Sequence, residues 1–102
     1  MSYTTITVSR PGAKMRSGTT ADEANASFAE VQAIVAANGG EMSLVGYDHA
    51  RAANVAIVTY PDADAAATAA IQIDAAQLLD VESRGMFSTM EELWPTFTAA
   101  LG

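Results

Sequence analysis

A chain of 102 residues with twelve acidic and five basic side chains carries a formal charge of −7. That balance argues against a nucleic-acid or anionic-membrane partner, since both need a basic patch. Cysteine is absent, which excludes disulfides, a thiol nucleophile and a thiolate metal site. Half of the residues are hydrophobic, but much of that share is alanine, which buries little area. One domain of modest stability is expected, residues 1–102, unless a partner chain covers further surface. No apolar run approaches the ~18 residues of a membrane span, and MSYTTITVSR lacks the pattern of a signal peptide. A soluble cytoplasmic protein is expected.

Tyr3–Arg10 alternates with period two: Thr4, Ile6 and Val8 share one face, and Tyr3, Thr5, Thr7 and Ser9 share the other. Alternation with β-branched residues predicts a strand whose second face is polar but uncharged. Pro11-Gly12 ends it, and PGAKMRSGTT reads as a long loop, a length often tied to function. Arg10, Lys14 and Arg16 concentrate most of the basic charge there, either to hold an anionic group or to moderate an acidic surface.

Thr20 and Glu23 have capping-box spacing, and Asp22 suits the positive end of a helix dipole. Ala24, Phe28, Val31, Ile34 and Val35 then form one apolar stripe, until Asn38-Gly39-Gly40 stops the helix. Met42–Tyr47 and Val55–Tyr60 predict a hairpin joined by Asp48–Asn54, with Met42, Leu44 and Gly46 on one face. Both faces carry apolar residues, so the pair is expected to be covered on both sides. Pro61 closes the second arm, and Asp62 or Asp64 caps an alanine-rich helix through Ile73, with a turn at Asp74–Gln77. Val81–Phe87 predicts a last strand, with Glu82 and Arg84 on a common face. In the tail, 88–102, Met90, Leu93, Trp94, Phe97 and Leu101 have helical spacing, and Pro95 is expected to begin a second short helix.

The order is β-α-β-β-α-β, which predicts an α+β fold with a four-stranded antiparallel sheet and both helices on one face. The other face then needs a cover. Its apolar side chains make an interaction surface, and a homodimer packed sheet to sheet is the expected solution.

Gly46-Tyr47-Asp48, the strand Val55–Val58, Pro61-Asp62 with its alanine-rich helix, and Val81-Glu82-Ser83 carry a resemblance. On these residues the chain resembles the GYD-domain family of small bacterial proteins, within the ferredoxin-like, dimeric α/β-barrel superfamily. The resemblance implies a ferredoxin-like fold, a homodimeric barrel and relatives that include monooxygenases and cyclases.

The candidate site residues are few. His49 is the sole histidine, beside Asp48 and near Arg51, and is either a general base oriented by a carboxylate or part of a solvated loop. Arg84 is the second catalytic candidate. Tyr3, Tyr47 and Tyr60 either share a ligand cavity or pack at an interface, and Trp94 is either a packing anchor or a stacking platform. Glu82 and Arg84 are expected to pair with each other or with Arg51, as an ordinary surface pair. No cofactor or metal is expected. Three functions are compatible with these residues: a small-molecule-binding protein, a cofactor-independent enzyme of the monooxygenase, cyclase or isomerase kind, and a structural interaction module.

Overall fold

A computed structural model of the chain describes residues 2–13 and 20–102. The elements are β1 (Tyr3–Pro11), α1 (Ala21–Ala37), β2 (Glu41–Asp48), β3 (Ala53–Tyr60), α2 (Ala63–Ala75), β4 (Leu79–Met86) and α3 (Met90–Leu101). The strands form one sheet in the order β2-β3-β1-β4, with every neighbouring pair antiparallel. This is the ferredoxin-like α+β arrangement anticipated from the element order, and the sheet is open rather than closed into a barrel. Lys14 and Arg16, expected in the loop after β1, lie outside the described residues.

Helix starts are set locally. Thr20 accepts a bond from the Glu23 amide at 3.2 Å, and Asp62 accepts from the Ala65 amide at 2.8 Å, which decides between the two candidate caps of α2. Gly39 ends α1 at φ +75°, a backbone conformation that a side chain would strain.

The core lies between the helices and one sheet face. Val31 and Val35 of α1 and Ala66, Ala69 and Ile73 of α2 pack with Val58, Tyr60 and Leu78. The small residues of α2 let its backbone approach the strands more closely than α1 does.

Two irregularities alter the expected faces. A register shift in β2 between Met42 and Leu44 pairs Met42 with Val58 and Leu44 with Ile57. Met42 therefore packs toward the core while Leu44 faces away, so the expected shared face of Met42, Leu44 and Gly46 is corrected to Leu44 and Gly46 alone. A second shift lies in β4, where Val81 pairs with Ser9 but Ser83 pairs with Val8. It separates Glu82 from Arg84, so these two do not share a face as expected. Glu82 bonds Arg10 at 3.0 Å and Arg51 at 3.5 Å, whereas Arg84 turns to Asp74 on α2.

The hairpin strands also run further than expected. Asp48 pairs with Ala53, and the Asp48 carboxylate accepts the amides of Ala50 and Arg51, which tightens the turn. The tail is a single helix, not two. Thr89 and Glu92 form a reciprocal capping box at its start, and Pro95 sits inside. The proline removes one backbone donor on an exposed helix, where water satisfies the freed carbonyl.

No helix among the described residues is long and apolar enough to cross a membrane.

Candidate functional site

β1 supplies the floor of the site. Its odd-numbered side chains, Thr5, Thr7 and Ser9, point at the helices, where a packed layer is ordinarily apolar. The central position of β1 puts this polar row in the middle of the helix-covered face. Thr5 donates to the Val58 carbonyl over a long 3.4 Å. Among the described residues, the hydroxyls of Thr7, Ser9 and Tyr60 make no side-chain hydrogen bond to protein. No buried described polar atom is orphaned, so these hydroxyls open onto cavity space.

Three adjoining cavities occupy the space between sheet and helices. The central one, about 60 Å³, is lined by Thr5, Thr7, Ser9, Tyr60 and Arg84 along its polar side. It shares Thr5, Ala66, Ala70 and Arg84 with a cavity of about 180 Å³ at the Tyr3 end. It shares Ser9, Val31, Met42, Ala56 and Leu79 with one of about 110 Å³ beneath α1, which Phe28 and Val45 complete on the side toward β2. The three form a cleft graded from polar at one end to apolar at the other.

Arg84 stands across from Thr7 in the β1–β4 register. Its guanidinium donates to both carboxylate oxygens of Asp74 at 3.2 Å, a bidentate grip that holds the side chain along the cleft rim. Tyr60 is buried at the end of β3, opposite Tyr3. Burial raises the Tyr60 phenol above its ordinary value, and the nearby Arg84 charge opposes that rise in part. The phenol is therefore protonated at neutral pH and available as a donor. Gly40 makes room for the ring: a Cβ there would lie 2.7 Å from Tyr60 and 2.7 Å from Val35.

The anticipated site residues divide into three groups. Tyr3, Tyr60 and Arg84 come together in the cleft. Tyr47 and His49 stand at the opposite end of the hairpin, both exposed, with their rings edge to face at 5.2 Å. Tyr47 is opposite Asn54 while Tyr3 is opposite Tyr60, so about six residues of β3, roughly 20 Å, separate the two groups. Trp94 belongs to α3, stacked on Phe97 at 5.3 Å. Arg51 and Arg10 join Glu82 and Asp48 in an exposed ionic cluster beyond the cleft.

Thr5, Thr7, Ser9 and Asp74 were not among the candidates. The uncharged polar face of β1 was the available signal; locating it beneath the helices required the sheet order. Asp74 lay in a segment read only as a turn. No group of three or more acidic or histidine side chains among the described residues is placed to hold a metal ion. Comparison of the chain with protein-family models, with curated proteins and with solved structures finds no match in any of the three.

Proposed function

We propose that the protein binds a small oxygen-bearing organic molecule in the cleft between its sheet and helices. The observation that carries this reading is the row Thr5, Thr7 and Ser9 facing cavity space, with the Tyr60 phenol and Arg84 guanidinium at the same end. Hydroxyl groups without protein partners cost little when a ligand or water meets them and several kcal/mol when nothing does, roughly 1–3 each. A core built only for stability would carry valine at these positions. The donors suit a carbonyl, phenol or carboxylate, with Arg84 meeting the more negative end. The apolar end of the cleft, at Met42, Val31 and Leu79, suits a ring or short alkyl body.

The reading includes a homodimer through the open sheet face. Leu44 is half exposed there, and Ile6, Val55 and Ile57 are only partly covered. This surface and the Gly46-Tyr47-Asp48 resemblance support membership in the GYD-domain group of dimeric α/β-barrel proteins. An enzyme built on His49 has less support, because His49 lines no part of the cleft.

Native mass spectrometry of the purified protein tests the cleft. The expected spectrum carries a small-molecule adduct that falls at least tenfold in Thr7→Val and in Arg84→Met. An adduct-free spectrum, with unchanged melting across a panel of small phenols and hydroxy acids, would sink the reading.

A further inference from the structure

α3 is the most amphipathic of the three helices, yet no residue of it is buried. Met90, Leu93, Trp94, Phe97 and Leu101 fall on one side at helical spacing. Their exposure runs from 39% at Leu93 to 75% at Leu101. Trp94 and Phe97 stack with planes 17° apart and form a preorganised aromatic knob.

The dimensions of the whole chain point the same way. Its long axis is 55 Å and its radius of gyration 15.2 Å. A compact chain of this length has a radius of about 13 Å. The exposed surface is 6588 Å². A compact monomer of this mass exposes about 5,500 Å², so the excess is on the order of 1,100 Å². A stable pairing covers about 800 Å² per partner, which this excess supplies.

A receiving surface exists on the same chain. The apolar cavity beneath α1, about 110 Å³, has Phe28 and Val45 on its rim toward β2 and Val31, Met42, Ala56 and Leu79 inside. Phe28 and Val45 are 43% and 48% exposed. No charged side chain is among the described residues that line it, so the acidic first turn of α3, Glu91 and Glu92, meets no like charge in the groove.

The arm does not seat in its own groove. α3 leaves the β4 edge after Met86, whereas the exposed rim of the groove, Phe28 and Val45, lies on α1 and β2, toward the opposite edge of the sheet. Three strand spacings, about 14 Å, separate those edges. The link Phe87–Thr89 adds about 10 Å and leaves the helix undocked, with none of its residues buried. A two-fold axis parallel to the strands, with the open faces packed together, lays the β4 edge of one copy over the β2 edge of the other. From there the arm passes around that edge to the rim of its partner's groove, Phe28 and Val45, on the helix-covered side.

We infer that two copies exchange their α3 arms, each placing Trp94 and Phe97 in the α1–β2 groove of the other. The occupant is a second copy of this chain, and each copy completes the apolar wall of the other's cleft. The exchange is carried by the undocked helix and the groove; only its effect on a ligand rests on the binding reading above.

The test traps the contact. Because the chain has no native cysteine, a Val45→Cys chain is mixed with an isotope-labelled Phe97→Cys chain and oxidised. Both positions are exposed, which spares the fold. A mixed-isotope disulfide is expected at least tenfold above a control pairing Val45→Cys with Ile71→Cys. In unmodified protein, emission of the single tryptophan is expected to shift to the blue as concentration drives the mass from monomer to dimer. A dimer with solvent-exposed tryptophan and no mixed disulfide overturns the exchange and leaves the open-face dimer standing. A monomer at every concentration overturns both, while the adduct measurement decides the cleft reading separately. A monomer with shielded tryptophan overturns the exchange in favour of a self-docked arm.

Discussion

α2 and α3 are of similar length and opposite character. α2 is nearly all small residues and has a weak apolar stripe, yet it is docked, with Ala66, Ala69 and Ile73 buried. α3 carries a tryptophan, a phenylalanine, two leucines and a methionine on one side, yet nothing in it is buried. How apolar a helix is therefore does not by itself decide its burial. α2 is bracketed by β3 and β4, so both of its ends are tied to the sheet and its alanines permit close approach. α3 is tied at one end only, and none of its residues is buried.

The contrast is sharpest under substitution. Leu78 follows α2 and is fully buried. Leu78→Ala is expected to cost about 3 kcal/mol, and a domain of this size then melts more than 10 °C lower by calorimetry. Ala69 is 0% exposed against the strands. Ala69→Leu overpacks that contact and is expected to cost about 2 kcal/mol in urea unfolding. A denaturation midpoint equal to that of the unaltered chain would show that α2 does not approach as closely as described.

Caps separate the two helices more finely. Asp62→Ala is expected to cost about 1 kcal/mol of global stability, since α2 unfolds with the domain. Thr89→Ala removes the equivalent cap from α3. In dilute, monomeric protein it is expected to reduce far-ultraviolet helicity while leaving the melting of the body within about 0.5 kcal/mol. Equal effects from the two cap substitutions would erase the distinction between a docked and an undocked helix.

The smallest effects are set by pH. Hydrogen bonds from the Thr89 backbone and side chain hold the Glu92 carboxyl below its ordinary range. A depressed folded value means stabilisation that is present above the unfolded value and lost as pH falls through the folded one. The start of α3 is thus expected to fray below about pH 4, seen as a shift of the Thr89 amide in NMR. Tyr60 runs the other way: burial raises its phenol, so its contribution is intact below the ordinary tyrosine value and declines as pH climbs past about 10. Ultraviolet titration of the phenolate should find Tyr60 ionising above the ordinary tyrosine value.

Much of this was legible in the chain itself. Alternation, caps and stop signals are local, acting over a few residues, and they yielded the strands, the helix starts at Thr20 and Asp62 and the β-α-β-β-α-β order. That order in turn fixes an antiparallel sheet with two helices on one face, because connections of these lengths admit few alternatives. The tertiary structure alone decided what stands beside what. The two register shifts are properties of paired strands, so no single strand announces that Leu44 turns away from Met42 or that Arg84 leaves Glu82 for Asp74. The polar row of β1 was visible in sequence, but only the strand order places it beneath the helices and brings Tyr3, Tyr60 and Arg84 to it while leaving Tyr47 and His49 at the far end. The aromatic spacing of the tail predicted a helix with something to bury. That its own chain leaves this side uncovered is a fact of the tertiary arrangement, which local sequence does not encode.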